Sequence, residues 1–353
     1  MMTGLTNALQ CTIPVIQAPM AGISTVKMAA DVTRAGGLGS LPFGTHNLSK
    51  SLASLKSTVT EFQALIGDGY ELTKNGQLRV NLNFYNHDID PPPTEKQQQT
   101  WFDAYREFKP NPDKISFANG NVLDVFHFGC PPKDVVTQLK RTSLVMVTVT
   151  NVAEAKFAMD AGVDGLIVQG WEAGGPRGTF MPDHDQRQST WESFTAVTSA
   201  VAAAPASDCY IVPAGGIVRV SDVQRYMDAG ADMVLMGSAF LLCPESNATH
   251  YFHSQLDRRL PTQMVSFISG KPTRGVATPF IENLMMTSGK LDVPFGYMYT
   301  AYRSWMADVK SPEYAFYIAG DKWRLAENGV HAADVVRQFD RVLPKNRSTR
   351  RKA

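Results

Sequence analysis

The chain has 353 residues, 44% of them hydrophobic and 19% charged, with a formal net charge of +1. This is the composition of a globular protein, long enough for one large domain with an appendage or for two ordinary domains. The near-neutral balance makes no case for nucleic acid or an anionic membrane as partner, and no run of about 18 apolar residues predicts a spanning helix. Pro14 to Ala18 then reads as a short strand, with Pro19-Met20-Ala21-Gly22 as its exit loop. Ser24 is the expected N-cap of a helix through Met28 and Ala35, closed by Gly36-Gly37. Leu38 to Leu41 is a second strand, Asn47 to Leu65 has helical spacing through Leu48, Leu52, Leu55 and Phe62, and Leu78 to Phe84 alternates as a third strand. Between His87 and Asp113 the rhythm breaks at Pro91, Pro92 and Pro93, which reads as an insertion with one helix around Trp101, Phe102 and Tyr105.

The alternation resumes with a strand at Val122 to Phe128, a helix at Lys133 to Arg141, a strand at Leu144 to Thr148 and a helix at Val152 to Ala161. A strand at Gly165 to Gln169 leads into a long loop, Gly170 to about Gln188, and a helix from Ser189 to Ala203. Tyr210 to Pro213 and Met233 to Met236 are the last strands, with a helix from Asp222 to Ala229 between them. Eight short buried strands, most followed by a helix, predict the α/β class and a (β/α)8 TIM barrel. The expected division is residues 1–86 and 114–248 for the barrel, 87–113 for the insertion, and 249–353 for a mostly helical cap with a basic tail from Lys345.

The cysteines, Cys11, Cys130, Cys209 and Cys243, are scattered with no metal-ligand spacing. They read as free thiols in a reducing compartment, and no metal site is expected. The start of the chain has no secretory leader pattern, so a cytoplasmic location is expected.

In a barrel of this kind ligands sit at the C-terminal ends of the strands. The loops there are glycine-rich and poor in charge: Ala18-Pro19-Met20, Asn83, Gln169 to Gly175, Ala214-Gly215-Gly216 and Gly237-Ser238. The last two follow adjacent strands. Their backbone N–H groups and the Ser238 hydroxyl suit a phosphate; the alternative is that the glycines only make tight turns, with Ser221 capping the next helix. Met20 could lie against a flat ring, with the amides of Asn83 and Gln169 at its edge. Those are the requirements of flavin mononucleotide (FMN). No GxGxxG dinucleotide fingerprint and no GxxxxGK[ST] phosphate loop is present.

These residues resemble the class I nitronate monooxygenases (2-nitropropane dioxygenases) in their fungal form. The resemblance spans nearly the whole chain and is carried by Gln17-Ala-Pro-Met-Ala-Gly22, Gly36-Gly-Leu38, Asn81-Leu-Asn-Phe84 with His87, Phe126-His-Phe-Gly129, Gln169-Gly-Trp-Glu-Ala-Gly-Gly175, Ala214-Gly-Gly-Ile217, Gly237-Ser-Ala-Phe240, Ser269-Gly-Lys-Pro272 and Pro294-Phe-Gly-Tyr297. It implies FMN held non-covalently and the oxidation of an alkyl nitronate by O2 to a carbonyl compound and nitrite. Matching positions put Asn83, Gln169, Gly174, Gly216, Leu235, Met236, Gly237 and Ser238 at the cofactor. Pro19, Met20, Ala21, Thr148, Gly175 and Gly215 complete the expected set.

The chain departs from the family where a proton would be handled. The family's glycine-glycine-histidine-arginine-glycine carries its catalytic base; here the motif is Gly174-Gly175-Pro176-Arg177-Gly178. Proline has no ionisable group and no N–H. The family's alanine-glycine-glutamine-glycine is Ala319-Gly320-Asp321-Lys322, and a family cysteine is Asn86. Candidates to replace the base are His184 in the same loop, Glu172 if desolvated, and Tyr297. Pro176, His127, Tyr299, Asp321 and Lys322 are expected on the substrate side. The expected function is an FMN-dependent oxidoreductase for a nitronate or similar carbanion-like small molecule, with O2 as co-substrate. Two alternatives stand beside it. One is an FMN-dependent tailoring enzyme of a fungal biosynthetic pathway (dehydrogenation, rearrangement or cyclisation); the other is a ligand-binding barrel without catalysis. Monomer and homodimer are both left open.

Overall fold

The computed structural model describes residues 4–43, 48–67, 76–85, 121–204, 208–248, 258–266, 268–288 and 314–342. Its frame is an eight-stranded parallel sheet of β1 (Val15–Gln17), β2 (Ser40–Pro42), β3 (Leu78–Tyr85), β4 (Asn121–His127), β5 (Leu144–Val149), β6 (Gly165–Gln169), β8 (Tyr210–Ala214) and β9 (Val234–Met236). Neighbours follow chain order, β9 pairs back onto β1, and a parallel bridge between Ile16 and Leu38 closes the ring. The result is the expected (β/α)8 barrel. Its strands are continuous Val/Ile/Leu runs because both faces are buried.

Side-chain alternation divides each strand between two cores. Met146 and Ile167 join Leu123, Val125, Val212 and Leu235 inside the barrel, and Leu5 and Leu9 of α1 (Gly4–Leu9) pack into the same cluster. Val145, Val147, Val149, Leu166 and Val168 face outwards into the layer under the helices. Those helices are α2 (Val26–Arg34), α3 (Leu48–Ile66), α4 (Lys133–Leu139), α5 (Val152–Asp160), α6 (Thr190–Ala203) and α7 (Val220–Ala229).

Two helix starts differ from the sequence expectation. Thr25, not Ser24, caps α2, accepting from Met28 N at 3.0 Å. Ser24 instead pins the β1 exit loop: its hydroxyl accepts from Met20 N at 3.0 Å and donates to Ala18 O at 3.2 Å. Ser221 does not cap α7. Arg219 holds the cap position, and Asp222 Oδ2 accepts from Val218 N at 3.1 Å and Arg219 N at 3.0 Å. Ser189 caps α6 as expected, in a reciprocal box with Glu192.

The described residues after the barrel include strands as well as helices. Among them, β10 (Thr262–Val265) and β11 (Thr273–Val276) form an antiparallel pair. β11 also pairs with β7 (Gly175–Pro176), opposing Thr273 to Pro176 and Arg274 to Gly175. Part of the long loop after β6 is therefore a strand. Two residues carry no readable period, which is why the sequence pattern misses it. α8 (Pro279–Ser288) follows, and α9 (Ala332–Arg337) sets Val335 and Val336 into the outer core with Met28 and Val32 of α2. That last helix thus belongs to the barrel's outer layer, not to a cap. The insertion at 87–113, Asn86, Tyr297, Tyr299 and the tail from Lys345 lie outside the described residues. All four cysteines are free. Among the described residues no helix is long and apolar enough to cross a membrane.

Candidate active site

The segment 176–181 is strapped to the barrel by buried polar groups. Gln169, at the end of β6, accepts from Gly178 N at 2.7 Å through Oε1 and donates to the Pro176 carbonyl at 3.3 Å through Nε2. Arg177 is buried. Its Nη1 donates to Gln169 O at 2.7 Å, its Nε and Nη2 reach Asp185 at 3.1 and 2.9 Å, and its backbone N donates to Pro272 O at 2.6 Å. Burial pulls the Asp185 carboxyl up, but the Arg177 hydrogen bonds and charge outweigh it and hold it below the usual range. The sequence gives little sign of a third anchor, Glu154 of α5. Fully buried, its Oε1 accepts from Thr179 Oγ1, Phe180 N and Met181 N at 2.7–2.9 Å, and its Oε2 from Thr150 N and Oγ1 at 2.6 and 2.9 Å. It stands three residues after the N-cap Asn151, so it looks like an ordinary capping-box glutamate.

His127, at the end of β4, turns its Nε2 to the Pro176 carbonyl at 3.2 Å. A carbonyl only accepts, so Nε2 carries the proton in this contact. Burial pushes the imidazole down to about 4, opposed by the bond to Pro176 and aided by the charges of Lys271 and Arg177. The ring is therefore neutral near pH 7. Tyr85 and Phe128 flank it, with Lys271 Nζ 5.0 Å from the Phe128 ring centroid. The unfolded imidazole titrates near pH 6.5 and the folded one near 4, so stability is full above about pH 6.5 and is lost as pH falls towards 4. Unfolding free energies from urea titrations at about pH 7.5 and about pH 5 are expected to differ by on the order of 2 kcal/mol from this group, and His127→Gln to remove that part. An unchanged pH dependence in His127→Gln would contradict the assignment.

The loops after β8 and β9 form the other end of the site. Gly215 and Gly216 both have positive φ, +110° and +64°, which turns the chain away from the barrel directly after β8. The backbone N–H groups of Gly216, Gly237 and Ser238 have no protein acceptor among the described residues, whereas that of Gly215 lies on the side of the Ala214–Leu235 pairing between β8 and β9. Ser238 Oγ accepts from Gly320 N at 2.9 Å, which leaves its own proton available. Gly174 packs backbone to backbone on the C-terminal segment: a Cβ there would lie 2.4 Å from Gly320 N and 2.5 Å from the Ala319 carbonyl carbon. Met20 covers Gly237, its Sδ 3.4 Å from where a Cβ would stand.

Several expected roles change with this geometry. Glu172 is not a free carboxylate: its Oε2 accepts from Thr190 N at 2.7 Å and Oγ1 at 3.0 Å, at the start of α6. His184 is exposed, in a single 3-10 turn at Pro182–His184. Asp321 and Lys322 do not pair with each other. Asp321 N donates to Glu172 O at 2.9 Å, and Lys322 Nζ lies 3.4 Å from Asp222 Oδ1. Lys322 thus lies towards Gly216, while the Asp321 charge also acts on Arg274, which pairs with Gly175. Met236 sends its side chain into the outer core and offers only its main chain, whose carbonyl accepts from Ala18 N at 2.7 Å. Leu235 faces the barrel interior. Asn83 is buried and donates to Val125 O at 3.3 Å. Thr148 and the His127 ring together leave no room for a Cβ on Gly178, at 2.8 and 2.6 Å. Pro19 is half-buried and Ala21 exposed in the β1 exit loop. Pro176, Gln169 and His127 come together around the Pro176 carbonyl. Sequence reasoning also missed the ring of Arg177, Arg187 and Arg274 around Trp171, at 5.6, 5.4 and 5.9 Å from its centroid.

Comparison with known proteins agrees along the whole length. The family model described as nitronate monooxygenase matches residues 3–339. A Saccharomyces cerevisiae protein named "Putative nitronate monooxygenase" is 34% identical, over 92% of this chain and 89% of its own. The nitronate monooxygenase of Pseudomonas aeruginosa is 32% identical, over 77% of this chain and 78% of its own. Among solved structures, nitroalkane oxidase from Streptomyces ansochromogenes superposes with a TM-score of 0.73 at 25% identity, covering 96% of both chains. FabK from Thermotoga maritima, at 18% identity and a TM-score of 0.71 over 96% of this chain and 95% of its own, shares the fold.

Proposed function

Because the chain belongs to the nitronate monooxygenase family, we propose that it is an FMN-dependent oxidoreductase that oxidises an alkyl nitronate or a similar carbanion-like small molecule with O2. The observation that carries this reading is the set of three amides, at Gly216, Gly237 and Ser238, without a protein acceptor among the described residues. Backbone N–H groups and a hydroxyl proton in two adjacent glycine-rich loops are the donor types a phosphate needs, and the flavin phosphate is of that kind. Gln169 keeps one donor and one acceptor capacity for the ring edge after its bonds to Pro176 and Gly178. When bound, FMN supplies a two-electron acceptor that O2 can reoxidise.

The chain's own residues then select the substrate's protonation state. Pro176 cannot take a proton. Glu172 is engaged by Thr190, His184 is exposed, and His127 is a weak base whose N–H is committed to Pro176. No described residue of the site is suited to removing a C–H proton from a neutral nitroalkane near pH 7. A nitronate arrives already deprotonated, and the Lys271 ammonium near His127 favours an anion there.

Anaerobic stopped-flow mixing of the FMN-loaded protein with propyl-2-nitronate tests this. Rapid loss of the oxidised flavin absorbance is expected, followed by its return on admitting O2. Persistent oxidised flavin would reject the nitronate substrate. Pro176 would then favour the second reading, a tailoring enzyme using the same flavin on a more acidic or more readily oxidised intermediate. Failure of the protein to take up FMN at all would reject both and leave a ligand-binding barrel.

A further inference from the structure

Lys322 stands where the family motif has glycine, and its surroundings give it a specific task. The chain is fixed on either side of it: Gly320 N donates to Ser238 Oγ, Asp321 N to Glu172 O, and the Trp323 side chain is fully buried. Its Cε lies 3.9 Å from where a Cβ on Gly216 would stand, so the lysine stem runs alongside one of the unpartnered amides. Among the described residues the ammonium has one, loose, partner. Asp222 Oδ1 is 3.4 Å away, longer than the roughly 2.7–2.9 Å of a good charge-assisted bond. The other oxygen of Asp222 is occupied by Val218 N and Arg219 N. An ammonium has three donors, and the pair with Asp222 uses one.

We propose that Lys322 is a cationic ligand of the cofactor's phosphate, swinging from Asp222 onto an anion held by the amides of Gly216 and Ser238, so that this chain selects FMN over uncharged riboflavin. The inference rests on the FMN reading above. It adds a full positive charge to a cradle otherwise made of backbone dipoles and one hydroxyl. A charge–phosphate contact strengthens binding of the phosphorylated flavin and leaves the dephosphorylated one untouched.

Flavin-fluorescence titrations of the flavin-stripped full chain with FMN and with riboflavin, at low and high salt, test the proposal in wild type, Lys322→Met and Lys322→Arg. Lys322→Met is expected to weaken FMN binding by about 10-fold or more, to leave riboflavin affinity unchanged and to flatten the salt dependence. Lys322→Arg is expected to keep most of the preference for FMN. FMN affinity unchanged in Lys322→Met would overturn the proposal, as would an equal loss for both flavins, which marks a structural role. A wild type that binds neither flavin would refute the FMN reading itself.

Discussion

Placing histidine at position 176 is expected to raise turnover of freshly dissolved, neutral nitroethane by about 10²-fold or more, the usual contribution of a positioned general base. Oxidation of pre-ionised nitronate should change far less. The site is prepared for the substitution. Position 176 is half-buried in β7, opposite Thr273, and its carbonyl already accepts from His127 and Gln169. Those bonds use the backbone carbonyl, which histidine retains. The imidazole would supply the ionisable group that proline lacks, and an unperturbed histidine titrates near neutrality, where it can accept a proton. Initial rates of O2 consumption with neutral and pre-ionised substrate, for wild type, Pro176→His and Pro176→Ala, separate the effects. Equal gains in Pro176→His and Pro176→Ala would show that loop geometry, not a base, had been missing.

Glu154→Ala is expected to be the most destabilising single change near the site, by about 3 kcal/mol or more. The carboxylate satisfies three backbone N–H groups and two hydroxyls in a fully buried position. Alanine would leave those donors without an acceptor, each costing roughly 1–3 kcal/mol unless water enters. Glu154→Gln should lose less, because one oxygen still accepts. Urea denaturation measures the total, and amide exchange at Phe180 and Met181 should rise in step. An unchanged urea midpoint for Glu154→Ala would mean that water replaces the carboxylate and that the loop is held by Arg177 and Gln169 alone.

The barrel is legible in the sequence because its strands are uninterrupted apolar runs such as Leu144–Val149, which a parallel sheet covered on both faces requires. The loops after β8 and β9 are legible for a related reason: Gly215-Gly216 and Gly237-Ser238 stand where a chain leaving a parallel strand meets a ligand. What could not be read depends on contacts distant in sequence. Ser24 and Thr25 are adjacent hydroxyls, and only the path of the β1 exit loop decides which one caps α2. Asp321 and Lys322 look like an ion pair on paper. Each is instead drawn back to the barrel, one to Glu172 and the other to Asp222. Glu154 obeys a local capping pattern while its carboxylate serves a loop more than 20 residues further on.

The bond between Gly320 and Ser238 sets an order of events during synthesis. The eighth barrel strand ends at Met236, yet the residue that completes the Ser238 contact follows Ser238 by 82 positions. At ordinary elongation rates that is a delay on the order of 10 s. A nascent chain therefore has every strand of its barrel while the cradle still lacks its C-terminal wall. If the cradle takes the phosphate proposed above, its completion is a late checkpoint, reporting that translation has passed Gly320 and not merely that the barrel has closed.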